Sequence, residues 1–349
     1  MIMIFDKNQS VFPSDFHREI WWWAVGLVPP SVSLTADVKS KCDKNVLEGC
    51  HQWYDYFNEL CEDMYNHADE YSPASARQYR DLLENITLGG ELRENSIVWD
   101  IDGWQKYCDR INKGKAYHNL GITVEKLLNA LTRTGLVCES KNIENKNEIV
   151  FTNEKYPKIF HAMNTMEHSP NIRKTPARHH FAHCEFRQLF KSYSANYDEL
   201  LRRVSDESRD IAGSIHDCAK SLKIQRYVHF DTIKYKHKGT RVMDFTVTGH
   251  EYPTLRVNIG TCAKHDVDIL TDEYYINLLK ADKNIQDTFI KNLGKCNERE
   301  HNHQIVEING KKELVCPSSR VNMNPFKKDA DAILFFISAR KASIDQYND

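Results

Sequence analysis

Three histidines and one cysteine lie within six positions of the segment ARHHFAHCEFR, residues 177–187. If this segment is helical, His179 and His183 are four residues apart and share a face, as do His180 and Cys184. Imidazole titrates near neutral pH, so His179, His180 and His183 are candidates for general acid–base catalysis. The same side chains bind metals, and a metal would need a further ligand. Residues later in the chain that could supply it are His216, Asp217, His229 and His237.

Basic residues flank this histidine cluster and disfavour a bare cation. They suit a phosphate or another anion instead, because the first turn of a helix also presents unpaired N–H groups. The simpler alternative is an ordinary helix that begins at Pro176 and buries Phe181, Phe186 and Leu189. We expect this structural role, with anion binding or catalysis as the alternative. The flanking basic residues are Arg173, Lys174, Arg178 and Arg187.

A second basic feature belongs to a strand predicted at residues 226–236. Lys234, Lys236 and, in the turn that follows, Lys238 alternate onto one face. Tyr227 and Tyr235 are expected on the opposite face, where they could not stack with bases held on the basic face. The pattern therefore predicts contact with the backbone of a polyanion and no recognition of base sequence. Two arginines are expected to extend the basic surface: Arg226 and Arg241.

Near the C-terminus, four side chains have the spacing C-x4-H-x-H-x12-C, from Cys296 through His301 and His303 to Cys316. Zinc binds four thiolate or imidazole ligands in a tetrahedron, and four protein ligands leave no open position, so such a zinc would be structural. Cys262 could replace one of the histidines. The alternative is that these cysteines are buried and act as small hydrophobic residues.

Several common catalytic motifs are missing from the sequence. It contains no GxxxxGK[ST], no GxGxxG, no GxSxG and no HExxH. The most frequent phosphate-loop NTPases, dinucleotide-binding enzymes, α/β-hydrolases and zinc peptidases are therefore excluded. Other enzymes remain open.

The composition is typical of a soluble globular protein, with 41% hydrophobic and 28% charged residues among 349. Ten cysteines occur without a CxxC pair, and the N-terminus lacks the pattern of a secretory signal. This favours reduced thiols and a cytoplasmic location. The apolar segment Ile20–Val28 is too short to span a membrane. Its Trp21, Trp22 and Trp23 could instead bind a protein partner or a second copy of the chain.

Charge is distributed unevenly along the chain. Residues 1–110 carry 10 Lys and Arg against 19 Asp and Glu, whereas residues 171–260 carry 16 against 10. The basic part could face phosphate groups, or it could attract the acidic part. Two ordinary solvated surfaces of opposite sign would give the same counts.

The periodicity predicts an α+β protein in three regions. Residues 1–110 form an acidic helical region, with a helix at 48–70, a second capped by Ser72 and Pro73, and a short strand at 96–101. Residues 111–170 read as helix, hairpin and helix, the outline of a winged helix, in which Lys126, Asn129 and Arg133 are the exposed candidates for DNA contact.

Residues 171–349 are predicted as a basic helical linker followed by an α+β domain. Its antiparallel strands lie at 226–236, 241–249 and 254–261, and a hairpin turns at Asn309 and Gly310, a pair typical of tight turns. Helices are expected at 271–279, 285–293 and 330–341.

Three functions fit these observations. The first is a non-enzymatic regulatory or nucleic-acid-associated protein with a winged-helix-like middle, a basic surface and a structural zinc. The second is an enzyme that acts on a phosphorylated or nucleic-acid substrate through the histidine cluster. The third is a protein–protein interaction module that uses Trp21–Trp23.

Overall fold

The chain folds into two compact units, Met1–Tyr193 (unit 1) and Ser194–Asp349 (unit 2). Each unit has its own helices and antiparallel sheet, so the fold class is α+β, as predicted. The predicted division into three regions at residues 110 and 170 stays a prediction. The computed structural model describes residues 5–6, 9, 11–71, 74–114, 121–143, 146–169, 181, 183–191, 193–229, 232–246, 256–264, 266–294, 303–324 and 326–348.

Unit 1 is mainly helical and has one four-stranded sheet in the order β1-β2-β4-β3. Its described strands are β1 (Glu91–Arg93), β2 (Ser96–Asp100), β3 (Leu136–Ile143) and β4 (Lys146–Asn153). Its described α-helices are α1 (Asp15–Gly26), α2 (Pro30–Ser33), α3 (Ala36–Lys39), α4 (Lys44–Asn66), α5 (Ala68–Tyr71), α6 (Ala76–Gly89), α7 (Ile101–Lys113), α8 (Val124–Leu131) and α9 (Ile159–Glu167).

The long helix α4 forms the centre of unit 1. Trp53, Phe57 and Leu60 recur at helical spacing along it and are fully buried, as the sequence predicts. Gly49 allows α4 to approach the start of α9 closely: a Cβ at this position would lie 2.3 Å from the carbonyl oxygen of Lys158. The packing between α4 and α9 therefore depends on the absence of a side chain at residue 49.

Helix α6 begins at a different cap from the one predicted. The side chain of Gln78 accepts a hydrogen bond from the backbone N–H of Ser75 at 2.8 Å, which makes Ser75 the N-cap. The predicted cap, Ser72 and Pro73, lies outside the described residues.

Residues 111–170 contain the predicted succession of helix, strand, strand and helix. The hydroxyl of Thr123 caps α8 by accepting the backbone N–H of Lys126, and Gly135, with φ at +87°, ends the turn after the helix. β3 and β4 then pair as a hairpin. β2 pairs with the other edge of β4, so the sheet joins the first predicted region to the second.

Unit 2 contains a five-stranded antiparallel sheet in the order β11-β8-β7-β6-β5 and a separate hairpin of β9 and β10. The strands are β5 (Gln225–His229), β6 (Thr232–His237), β7 (Thr240–Thr246), β8 (Arg256–Gly260), β9 (Gln304–Ile308), β10 (Lys311–Val315) and β11 (Arg320–Met323). The described α-helices are α10 (Tyr197–Leu201), α11 (Asp206–Ser221), α12 (Glu273–Lys280), α13 (Lys283–Asn292) and α14 (Ala330–Asn348).

Both predicted turns are confirmed in unit 2. Lys238 and Gly239 join β6 to β7, and Asn309 and Gly310 join β9 to β10, all with positive φ. The single strand predicted at 226–236 is wrong, because β5 and β6 pair with each other as a hairpin. Strand β11 was not predicted, because its alternation lasts for only four residues.

One face of the five-stranded sheet belongs to the core of unit 2. Ile233, Tyr235 and Phe245 are fully buried on this face. Helix α14 packs against β7 and β8. His237 Nε2 lies 2.7 Å from Asp345 Oδ1 and joins the end of β6 to this helix. His237 shares the buried face of β6 with Tyr235, so α14 lies on the core side of the sheet.

No described helix is long and apolar enough to cross a membrane.

Candidate nucleic-acid interface

The face of the five-stranded sheet opposite Tyr235, which we call the open face, carries aligned polar side chains. Successive residues of a strand point to opposite faces, and directly paired residues of neighbouring antiparallel strands point to the same face. Lys234 therefore lies on the open face because its chain neighbours Ile233 and Tyr235 are buried in the core. The strand register then lines up one residue from each strand in a row: Tyr227, Lys234, Asp244, Asn258 and Asn322.

The register corrects the prediction for Tyr227. This residue pairs directly with Lys234 and shares its face, whereas Tyr235 is buried on the core face as predicted. The Tyr227 ring is 47% exposed, and the Lys236 ammonium nitrogen lies 5.7 Å from its centroid. The prediction failed because residues 226–236 are two strands and the hairpin between them reverses the alternation. An aromatic platform and two lysines thus share one face.

A second row on the open face is formed by Gln225, Lys236 and Arg241. Burial lowers the pKa of Arg241, and the charge of Arg320 on β11 lowers it further. The positive charges of the two side chains therefore repel each other.

One carboxylate lies among these cations. Asp244 stands in the middle strand β7, is 4% exposed, and forms an ion pair with Arg241 through Oδ2. Four described cationic side chains on the open face therefore face a single described carboxylate. They are Lys234, Lys236, Arg241 and Arg320.

Two residues expected on the basic surface lie elsewhere. Arg226 pairs with Tyr235 and belongs to the core side of edge strand β5, where its guanidinium lies 4.0 Å from the ring centroid of Tyr197. Lys238 sits in the turn and pairs with Asp345 of α14 at 3.1 Å. The open face is therefore built by Lys234 and Lys236 with Arg241 of β7, which was expected there, and with Arg320 of β11, which was not.

The histidine cluster is described only in part, because His179 and His180 lie outside the described residues. His183 is 1% exposed, and its ring packs against Trp22 with 5.1 Å between centroids. Gly26 covers its Nε2, from which a Cβ at residue 26 would be only 2.4 Å away. His183 is thus enclosed within unit 1 and does not face a solvent-filled site.

Phe181 is helical, as the helix predicted from Pro176 requires, but this helix does not extend into residues 183–191. Residues 183–191 form turns and a short 3-10 helix at Phe186–Gln188, and Cys184 has φ of +54°. The apolar residues Phe181, Phe186 and Leu189 are nevertheless buried as expected. The burial of these three residues was predicted correctly, although Phe186 and Leu189 do not lie in a regular α-helix.

Of the four candidate anion-binding residues around this cluster, only Arg187 belongs to the described part of the chain. Arg173, Lys174 and Arg178 lie outside the described residues. Arg187 contacts both carboxylate oxygens of the fully buried Glu185, at 2.6 and 2.7 Å, and stacks 3.8 Å above the Tyr193 ring. Its guanidinium is therefore engaged in holding unit 1 together.

Two of the four candidate zinc ligands, Cys296 and His301, lie outside the described residues. The other two are brought together: Val315 pairs with Gln304, so the next residues along the two strands, Cys316 and His303, meet at the open end of the hairpin. Nε2 of His303 is buried without a hydrogen-bond partner among the described residues. Within the described ranges, no group of three or more His, Cys, Asp or Glu side chains could hold a metal ion.

The proposed substitute ligand, Cys262, is engaged elsewhere. Its Sγ lies 3.0 Å from Asp272 Oδ2, and burial together with that carboxylate raises the pKa of the thiol to about 12. The thiol of Cys262 is thus engaged with Asp272 in the interior of unit 2.

The exposed candidates on α8 are also largely engaged. Arg133 forms ion pairs with Asp63 and Glu70, each at 2.9 Å. Lys126 and Asn129 line a cavity of about 310 Å³ beside Glu70, and the Lys126 ammonium donates to the carbonyl of Gly121 at 2.8 Å. These contacts hold α8 against its own unit.

The tryptophan segment forms part of helix α1. Trp21 is fully buried and Trp23 is 3% exposed, and the Trp23 ring packs against Phe57 of α4. Trp22 is half-buried beside His183. The three side chains are thus used mainly in the core of unit 1.

No protein-family model, curated protein or solved structure matches this chain.

Proposed function

We propose that the chain is a nucleic-acid-associated protein that binds single strands on the open face of unit 2. The observation that carries this proposal is the shared placement of Tyr227, Lys234 and Lys236 on one exposed sheet face. Single strands are held by cationic side chains that follow the phosphates and by aromatic rings on which bases stack. Arg241 and Arg320 add a second cationic position on the same face.

A single strand fits this face better than a duplex. Its unpaired bases can turn toward a sheet and stack on an exposed ring, whereas the bases of a duplex are already stacked on each other. The face is also wide, since five strands spaced ~4.8 Å apart span several nucleotides. We therefore expect weaker binding of a duplex of the same length.

The proposal is tested by fluorescence anisotropy with labelled single-stranded DNA and RNA oligonucleotides of about 15 nucleotides and the full chain. We expect affinity that falls linearly with salt on a double-logarithmic scale, because binding releases counterions from the phosphates. Absence of binding to every oligonucleotide at 20 mM salt would overturn the proposal.

A charge-matched pair of variants locates the interface. Lys234→Glu/Lys236→Glu should reduce affinity at least tenfold and lower the salt slope by about 2, or about 1 for each lysine. Lys311→Glu/Lys312→Glu changes the net charge equally on the exposed hairpin of β9 and β10 and should leave most of the affinity intact. Equal losses in both variants would contradict a site on the open face.

The aromatic platform is tested by substitutions at Tyr227. Tyr227→Phe retains a ring and should bind as the native chain does, whereas Tyr227→Ala should lose about tenfold, as expected for one stacked base. Because the residue is 47% exposed, neither change should alter folding. A loss in Tyr227→Phe equal to that in Tyr227→Ala would assign the effect to the hydroxyl instead.

We further infer that residues 111–170 contain a winged-helix-like segment. Helix α8, the β3–β4 hairpin and helix α9 follow one another there, and β4 lies between β2 and β3 in the sheet. Since Arg133 is paired with Asp63 and Glu70, we infer that this segment serves packing within unit 1 and does not read DNA. Loss of oligonucleotide binding in a Lys126→Ala/Asn129→Ala variant would contradict that inference.

A structural zinc bound by Cys296, His301, His303 and Cys316 is a second proposal. It is favoured by the hairpin register, which brings His303 and Cys316 to the same end, and by the buried Nε2 of His303. Elemental analysis of protein purified without chelators should find one zinc per chain, and less than about half an equivalent would reject the site. His303→Gln should lose the metal, whereas the control Cys218→Ser should retain it.

The remaining hypotheses receive less support. Catalysis by His183 would require access to its ring, which is 1% exposed, and the alternatives His179 and His180 lie outside the described residues. An interaction module based on Trp21–Trp23 would require exposed indole rings, and two of the three are buried. A cytoplasmic location stays a prediction from the sequence.

A further inference from the structure

Asp244 is a carboxylate at the centre of an otherwise cationic face. It occupies the middle strand of the sheet, and its direct cross-strand neighbours are Lys234 and Asn258. Oδ2 pairs with Arg241, while Oδ1 is buried and has no hydrogen-bond partner among the described residues. A buried acceptor without a donor is unfavourable, so this oxygen is ready to accept a hydrogen bond from a ligand.

The negative charge of Asp244 repels phosphate. A phosphate-binding role, which fits the surrounding cations, therefore cannot explain this carboxylate. An ionised carboxylate accepts hydrogen bonds and cannot donate them. The base atoms that suit it are N–H groups, and Asp and Glu side chains typically accept from the exocyclic amine at C4 of cytosine. Thymine and uracil carry a carbonyl oxygen at the same position, which the carboxylate repels.

The position of Asp244 fits a base next to one stacked on Tyr227. The two residues share a row and are two strands apart, or roughly 10 Å. Lys234 lies between them. Asp244 is 4% exposed in the free protein, so a bound base would have to displace the side chains that cover it.

We propose that Asp244 selects bases that carry an amino group, cytosine over thymine or uracil, in a single strand bound on the open face. The inference depends on the proposed function, because it assigns a base preference to the same site. It replaces the expectation from sequence that this surface contacts only the backbone.

The test compares oligo-dC with oligo-dT of equal length, at pH 7.5 and one salt concentration, by fluorescence anisotropy with the full chain. The native protein should prefer oligo-dC by about tenfold, as expected for loss of one base contact. Asp244→Asn keeps the shape of the side chain and should bring the two affinities within about twofold. Asp217→Asn removes one carboxylate from the exposed side of α11 and should raise both affinities slightly without changing their ratio.

A second measurement uses only the native protein, so it does not depend on the folding of a variant. Replacing each cytosine by N4,N4-dimethylcytosine removes the amine donor and should lower the affinity to that of oligo-dT. Circular dichroism of Asp244→Asn shows whether the variant itself is folded.

Each outcome separates this inference from the proposed function. Binding of both oligonucleotides with equal affinity, or a preference for oligo-dT, would overturn the role of Asp244 and leave single-strand binding intact. A preference for oligo-dC that survives in a folded Asp244→Asn variant would also overturn it. Absence of binding to either oligonucleotide would overturn the proposed function together with this inference.

Discussion

Several arginine side chains of unit 1 pair with carboxylates, whereas on the open face of unit 2 one described carboxylate, Asp244, lies among four cations. Arg133 pairs with Asp63 and Glu70, and Arg93 pairs with Glu148 at 2.9 Å. In unit 2, no described carboxylate pairs with Lys234 or Lys236, and Arg241 lies within the field of Arg320.

The comparison separates two uses of the same residue types. In unit 1 these arginines form ion pairs within the fold. On the open face of unit 2, Lys234 and Lys236 form none with a described carboxylate, which fits the proposed binding of a polyanion. A count of charged residues along the sequence cannot distinguish these cases, because the pairing depends on which side chains the strands and helices bring together.

The largest expected effect concerns the packing of unit 1. Gly49→Ala should lower its free energy of unfolding by about 1–3 kcal/mol, because the added Cβ would lie 2.3 Å from the Lys158 carbonyl oxygen. All six tryptophans belong to unit 1, so urea unfolding followed by tryptophan fluorescence reports on this unit alone.

The matched control lies in a helix of unit 2. Gly213 stands in α11, where a Cβ would meet nothing within 4 Å, so Gly213→Ala should stabilise the chain by about 0.5–1 kcal/mol. Circular dichroism checks this change. Destabilisation by Gly213→Ala comparable to that by Gly49→Ala would show that close packing does not explain the difference.

A smaller effect is expected when one cation is removed from each unit, Arg133 from an ion pair in unit 1 and Lys234 from the open face of unit 2. Arg133→Gln should lower the urea midpoint of unit 1 and leave oligonucleotide affinity unchanged, because it removes ion pairs within the fold. Lys234→Gln should leave both unfolding transitions unchanged and lower the salt slope of binding by about 1. Weaker binding by Arg133→Gln with an unchanged midpoint would break the comparison.

The smallest expected effect is the dependence on pH. Burial raises the pKa of Asp63, but hydrogen bonds from Arg133 and Tyr71 outweigh it, and the net pKa is below its ordinary value. The stabilisation is therefore present above about pH 4, the value for an unfolded chain, and is lost as the pH falls through the lower pKa of the folded state. Asp63→Asn should lower the urea midpoint at pH 7, and the difference should close below about pH 3.

Asp345 is the carboxylate in unit 2 on which the same pH dependence can be tested. Lys341, followed by His237 and Lys238, holds the pKa of Asp345 far below its usual range. Asp345→Asn should lower the midpoint seen by circular dichroism at pH 7, with a loss that also closes on acidification. A difference from the native chain that grows as the pH falls would contradict both assignments.

Local sequence determined the elements that depend on local chemistry. The apolar stripe of α4, the Thr123 cap and the turn at Asn309 and Gly310 were all predicted, because each depends on residues within a few positions of one another. The α+β class follows from the same signals. The candidate cations Lys234 and Lys236 were also found from their alternation.

Tertiary structure alone decided the composition of the open face and the enclosure of His183. The row from Tyr227 to Asn322 depends on pairing among five strands, and a single unnoticed hairpin between β5 and β6 reversed the predicted side of Tyr227. His183 is buried by Gly26 and Trp22, residues more than 150 positions away. Local patterns carry no information on such partners, because a residue's face is set by its own strand while its neighbours are set by the register between strands.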